Sequence, residues 1–185
     1  MSSPIVFPFR KGVAPGGIAK LTISVDVNLS ATSMNKTTPQ NRIAGIIKKL
    51  KKSGKIIVFT NGCFDILHIG HIRLLKKAKS LGDVLVVGLN SDVSIRQIKG
   101  KCRPVVVENE RAEILASISA VDLVVKFSQP TPYKLIRRIM PDVLVKGADW
   151  QNGKIIGSEF AKKIVRVPIA KGHSTTGIIK KLKNL

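Results

Sequence analysis

Acidic residues and aromatic rings are both scarce in this chain. Only 11 Asp and Glu stand against 32 Lys and Arg, a net charge of +21 over 185 residues, and Phe, Trp and Tyr together make up 4%. With so few rings there is no ladder on which successive bases could stack, and no RNA-binding motif is present, so a nucleic-acid binder is disfavoured despite the charge. The two cysteines, Cys63 and Cys102, lie far apart and lack the C-x-x-C spacing of a zinc site or redox pair. A disulfide framework is therefore not expected. No stretch approaches the roughly 18 consecutive apolar residues of a membrane span. Met1 to Lys20 is basic and rich in Ser, Gly and Pro, without the sustained apolar core of a secretory leader. The expectation is a cytoplasmic protein with no membrane insertion.

The positive charge itself admits two readings. A field of this size attracts phosphates of any kind, yet the lysines are scattered along the chain rather than gathered in one block, as a general surface bias would leave them. Hydrophobic residues at 44% are enough for one α/β domain with a sizeable core.

Residues 1–36 differ from the rest. They hold Pro4, Pro8, Pro15, Gly12, Gly16 and Gly17 and a single acidic residue, Asp26. This reads as a poorly ordered extension, with Leu21 to Leu29 able to alternate as a short strand and Met34 a candidate translation start. A compact domain is expected over residues 37–185.

From Thr38 onward the pattern is regular. Pro39 suits the first turn of a helix with the stripe Ile43, Ile46, Ile47 and Leu50, stopping at Ser53-Gly54. Short apolar runs of strand length follow at Lys55–Thr60, Asp83–Asn90, Val121–Phe127, Asp142–Lys146 and Ile164–Val167. Helical patterns lie between them, at about Gly70–Leu81, Asn109–Ala120, Pro132–Ile139 and Thr175–Leu182. Strands apolar on both faces, alternating with helices, indicate a parallel sheet covered on both sides. Right-handed crossovers then give an open doubly wound, Rossmann-like α/β domain with ligands at the carboxyl ends of the strands.

Unusual polar residues fall just after strands, where that geometry wants them. Gly62 allows a tight turn and close approach to a ligand. His68 and His71, three apart at the start of a helix, share a face, and Gly70 between them removes a side chain that would block a phosphate. Helix amides and two imidazoles together suit the charge that builds on an α-phosphate during in-line displacement. A metal site is the competing use of H-x-G-H, but there is no third ligand at typical spacing and no Glu placed as base. Lys99 and Arg103 could reach phosphates or could be ordinary surface charge. Ser174-Thr175-Thr176 opens the last helix, where a serine caps amides whether or not it touches a ligand. Cys63 and Phe64 read as packing elements. Tyr133 and Trp150 are the only Tyr and Trp, and ordinary packing is the expected role of both.

Thr60-Asn-Gly-Cys-Phe-Asp65 followed by His68-Ile-Gly-His71 resembles the signature of the cytidylyltransferase-like nucleotidyltransferases. Over about residues 40–185 the chain is most similar to the adenylyltransferase domains of bacterial ADP-heptose synthases. The similarity extends through Val87-Gly-Leu-Asn-Ser-Asp92, Lys99-Gly, Arg103-Pro104, Glu110-Arg111, Asp142-Val-Leu-Val-Lys146-Gly147 and Gly172-His-Ser-Thr-Thr176. The resemblance implies AMP transfer from ATP to D-glycero-β-D-manno-heptose 1-phosphate with release of pyrophosphate, giving ADP-heptose for lipopolysaccharide core synthesis. It implies catalytic roles for His68, His71 and Lys99. Nucleotide contacts would come from Thr60, Asn61, Gly62, Phe64, Asp65, Gly70, Lys146, Gly147, Asp149, Ser174, Thr175 and Thr176, and sugar-phosphate contacts from Asn90, Asp92 and Arg103. Mg2+ would arrive with the ATP rather than on protein ligands, and a homodimer is implied.

Two departures bear on the substrate. Glycerol-phosphate cytidylyltransferases carry Arg-Thr-x-Gly-Ile-Ser-Thr near the end, whereas this chain has Ile169-Ala-Lys-Gly-His-Ser-Thr175 and lacks that Arg. Conversely, Gly147-Ala-Asp-Trp150 leans toward the glycerol enzymes, so CTP with glycerol 3-phosphate stays open as the alternative. ADP-heptose synthases often place a ribokinase-like sugar kinase ahead of this domain. A chain of 185 residues has no room for one, so a separate kinase is expected.

Overall fold

The computed structural model describes residues 36–147, 155–168 and 174–184. Its elements run α1 (Ile43–Lys52), β1 (Ile57–Gly62), α2 (Ile69–Lys79), β2 (Val84–Asn90), α3 (Asp92–Lys99), α4 (Glu108–Ser117), β3 (Leu123–Phe127), α5 (Tyr133–Ile139), β4 (Val143–Gly147), β5 (Lys163–Val167) and α6 (Thr175–Lys183). A 3-10 turn at Ser158–Phe160 precedes β5.

All five strands are parallel, in the order β3-β2-β1-β4-β5. The order reverses between β1 and β4, so the crossovers leave in opposite directions and a crevice opens at the carboxyl ends of these two strands. The expected doubly wound sheet is present, and alternation along each strand divides the core. Val58, Leu85, Val87 and Val145 face the layer holding Leu75 of α2 and Leu115 of α4. Ile57, Phe59, Val86 and Leu144 face Ile43 and Ile47 of α1 and Leu135 and Ile136 of α5. Burying each such side chain stabilises the fold by about 1.5–3 kcal/mol.

The amino edge of the sheet is pinned by a repeated device. Asp83, Asp122 and Asp142 stand just before β2, β3 and β4, and each carboxylate accepts an amide at the start of a neighbouring strand. Ile56 donates to Asp83 at 2.8 Å, Leu85 to Asp122 at 2.6 Å and Ile57 to Asp142 at 2.9 Å. These bonds fix register at the end of the sheet remote from the cleft. At the β3 edge, pairing begins with Lys36, whose carbonyl accepts the Val124 amide at 2.8 Å, and Thr38 returns a bond to the Val124 carbonyl.

Three expectations shift. Helix α1 starts at Ile43, with residues 40–42 forming a turn, so Pro39 stands outside it. The segment after β2, where the sequence pattern shows no helix, contains α3. Ser91 caps that helix by accepting the Ser94 amide at 3.2 Å, and Gly100 at φ +90° ends it. Only Ser94 and Ile95 face inward, so the apolar stripe is too thin to show in the sequence. Helix α4 stops at Ser117 rather than reaching Ala120. The possible strand over 21–29 lies outside the described residues.

Candidate active site

The cleft at the switch point has a volume of about 530 Å³. Its floor is the end of β1, where Asn61 and Gly62 leave the sheet. A side chain at position 62 would meet the Phe64 ring at 3.1 Å, so glycine lets that ring fold back over the turn. Phe64 is buried and held at φ +44°, a backbone state that non-glycine residues reach only when their surroundings impose it.

Helix α2 then begins with His68 as an extended N-cap residue and His71 in its first turn. Their rings stack with centroids 3.8 Å apart and planes at 24°, and the Phe64 ring closes on His71 at 5.1 Å. Burial, then the adjoining His68, then Lys99 push the His71 pKa down to about 4. At neutral pH His71 is therefore an uncharged imidazole, able to give one N–H to a ligand without carrying a proton to it. Its Nδ1 is buried and has no hydrogen-bond partner among the described residues, and the same holds for Thr60 Oγ1 beneath the helix.

Charge around this pair is distributed unevenly. Lys99, exposed on the last turn of α3, lines the cleft and acts on His71 through space. Lys146, only 7% exposed at the end of β4, donates to Asn61 Oδ1 across the switch point. Burial pushes the Cys63 thiol up despite nearby Lys99 and Arg111, so it stays protonated beside the cleft.

The cleft brings together Asn61, Gly62, Phe64, Asp65, His71, Asn90, Lys99, Lys146, Gly147 and Thr175 of the residues expected from sequence. Several also have partners inside the protein. Asp65 is buried, accepting from Arg103 at 2.6 Å and from the Val105 and Val106 amides at 2.8 and 3.0 Å. Asp65 and Arg103 thus clasp the loop after α3. Asn90 donates to Ser94 Oγ at 2.9 Å, and Asp92 pairs with Arg111 at 2.7 Å. Ser174 accepts the Gly177 amide at 3.0 Å, the plain N-cap use, while Thr175 donates to the Ile66 carbonyl at 3.3 Å and ties α6 to the loop after β1. Gly70 is buried in α2 beneath the histidines. Thr176 is exposed in the first turn of α6. Asp149 and Trp150 lie outside the described residues.

Sequence reading passed over part of the wall. Pro130, Thr131 and Pro132 follow β3 and line the cleft, as do Ile98, Ile155 and Ile156. The rule that ligands meet the carboxyl ends of strands could have flagged the Pro-Thr-Pro turn. Nothing in the pattern marks the isoleucines, which are ordinary apolar residues until the fold places them.

A parallel sheet in this order, with two histidines at the start of the helix after its central strand and a cleft at the switch point, defines a Rossmann-like domain. The chain belongs to the cytidylyltransferase-like family, whose model matches residues 59–181. It is 48% identical over 179 residues to the bifunctional protein HldE of Sulfurimonas denitrificans, covering 93% of this chain and 38% of that protein. The protein of the same name from Helicobacter pylori strain J99 is 52% identical over 154 residues, covering 83% of this chain and 33% of that one. The chain thus spans about a third of the length of the curated relatives it matches. Among solved structures, a lipopolysaccharide core biosynthesis protein from Thermoplasma volcanium superposes with a TM-score of 0.52 at 32% identity, over 65% of this chain and all of that one. Pantoate-beta-alanine ligase from Francisella tularensis, with a TM-score of 0.56 at 22% identity over 80% of this chain and 72% of its own, shares the fold.

Proposed function

We propose that this chain transfers AMP from ATP to a sugar 1-phosphate, heptose 1-phosphate, releasing pyrophosphate and giving ADP-heptose. The observation that carries the reading is the stacked histidine pair at the start of α2, whose uncharged His71 lines a cleft together with Lys99 and Lys146. A phosphate oxygen of the sugar phosphate attacks the α-phosphorus of ATP, the bond to the β-phosphate oxygen breaks, and pyrophosphate leaves with that electron pair. No proton has to move and no enzyme bond forms. The chain's part is to hold the reactants in line and to donate N–H groups to oxygens that gain charge.

On this reading His68 and His71 donate to the phosphates, and Lys99 approaches from the acceptor side. Asn61, Gly62, Lys146, Gly147 and Thr175 line the nucleotide side, while Asp65, Arg103, Asn90 and Asp92 fix the segments that carry the contacts. Asp149 would add to the base pocket. Magnesium would neutralise the triphosphate. No group of three or more His, Cys, Asp or Glu gathers among the described residues, and Asp65 and Asp92 are engaged by arginines. That donor set suits an ion held by phosphate oxygens and water.

The neighbour named for lipopolysaccharide core biosynthesis supports the sugar. On the same reading the protein works as a homodimer in the cytoplasm, and a kinase step supplies its sugar phosphate. Among the described residues no helix is long and apolar enough to cross a membrane. Pyrophosphate release tests the proposal, with ATP or CTP crossed against heptose 1-phosphate and glycerol 3-phosphate in the presence of magnesium. Turnover confined to ATP with the heptose phosphate is expected. Turnover confined to CTP with glycerol 3-phosphate would keep the displacement and overturn the substrates.

A further inference from the structure

We propose that Arg111, on α4 and outside the reacting centre, is a positioning residue that locks the nucleotide and acceptor sides of the cleft into one frame. The proposal rests on the adenylyl-transfer reading above.

Arg111 is the largest fully buried side chain among the described residues, 1% exposed. Four of its five guanidinium N–H groups find acceptors, on three stretches of chain: the end of β1, the β2–α3 junction and the loop after α3. Nε donates to the Val106 carbonyl at 2.8 Å, Nη1 to the carbonyls of Cys63 at 2.5 Å and Asn90 at 2.9 Å, and Nη2 to Asp92 at 2.7 Å. The position of the Nη1 contacts matters most. The β1–β2 ladder ends with Gly62 opposite Leu89, and Cys63 and Asn90 are the next residue on each strand. Nη1 bridges these two carbonyls where the backbone ladder stops, and both residues line the cleft. Nη2 holds the first turn of α3, whose last turn carries Lys99. Nε holds the loop that Asp65 clasps from the other side.

A buried ion is a poor device for stability alone, since well-packed apolar residues of the same volume usually serve as well. What a planar fork adds is direction, because its N–H groups fix the relative placement of several acceptors at once. Every acceptor here lies on a segment that lines the cleft or leads to a residue that does. Lysine, with one nitrogen, cannot satisfy this set. A misplacement of about 1 Å between reacting groups lowers rates about a hundredfold.

The test compares Arg111→Ala and Arg111→Lys with the unchanged chain. Three quantities are followed: pyrophosphate release, ATP affinity by calorimetry and thermal unfolding. Each is measured with and without added guanidinium, and with methylammonium as the control cation. Arg111→Ala is expected to lose about a hundredfold in turnover and to regain at least tenfold with guanidinium but not with methylammonium. Arg111→Lys should stay impaired while folded. Should Arg111→Ala fail to fold, Arg111→Lys and Asp92→Ala, which removes one contact, carry the comparison. Guanidinium that raises the melting temperature without restoring turnover would reduce Arg111 to a structural role, and wild-type turnover in Arg111→Lys would overturn the proposal outright. If the unchanged chain itself releases no pyrophosphate, the adenylyl-transfer reading fails, and ATP affinity decides separately. Recovery by guanidinium then supports the frame, and an affinity indifferent to residue 111 overturns it.

Discussion

His68 and His71 lie ring on ring, centroids 3.8 Å apart with planes inclined by 24°, at the first turn of the helix that follows the central strand. Two imidazolium ions could not rest in that contact, and burial already disfavours charge there. His71 accordingly sits far below its ordinary value of 6.5, at about 4. Its ring should show a titration midpoint near pH 4 by NMR. The unfolded chain takes up this proton at higher pH than the folded one. Stability from His71 is therefore complete above pH 6.5 and falls as pH drops through about 4. Thermal unfolding followed across that window should show a shallower slope in His71→Asn, and an identical slope would refute the shifted value.

Removing the donor tests the chemistry. His71→Ala should reduce pyrophosphate release by about a hundredfold or more, the usual effect of deleting a transition-state donor. The melting temperature should fall little, because the side chain is only partly buried. Near-normal turnover in a folded variant would take the histidine out of the mechanism.

Two cations four residues apart should behave in opposite ways. Lys99 is exposed and lines the cleft, so Lys99→Ala should lower turnover with the melting temperature unchanged. Arg103 is bonded to the buried Asp65, and Asp65→Asn would weaken that bond while leaving two amides on a weaker acceptor. The expected loss in that variant is about 1–3 kcal/mol in chemical denaturation. Equal effects on stability from both substitutions would contradict the division.

Gly88 tests the packing beneath the site. A methyl there would meet the Phe59 ring at 2.7 Å and Asn61 Cβ at 3.1 Å, in the middle of the sheet. Gly88→Ala should destabilise the domain by about 1–3 kcal/mol. It should also disturb activity, because Asn61 is the partner of Lys146. A variant as stable as the original would show that Phe59 can yield.

The doubly wound sheet was legible because parallel strands must be apolar on both faces, and the runs at residues 57–59, 84–89 and 143–145 are unbroken. The position of the histidines was legible because a glycine turn between a strand and a helix places residues 68 and 71 at the helix start. Helix α3 was not, since its single fully buried apolar residue, Ile95, gives no periodicity to read. The engagement of Asp65 by Arg103, and of Asp92 by Arg111, was equally hidden. Partners 38 and 19 positions apart meet only after the loops have been placed.

The sequence by itself determined the class of fold, the succession of its strands and the segments that reach their carboxyl ends. Those follow from local periodicity and from the few ways a parallel sheet can be covered. Only the tertiary structure decided which polar residues face the cleft and which hold its walls. That choice depends on distances between segments remote in the chain, and a carboxylate or guanidinium looks the same in the sequence whether it awaits a ligand or has already found a partner inside the protein.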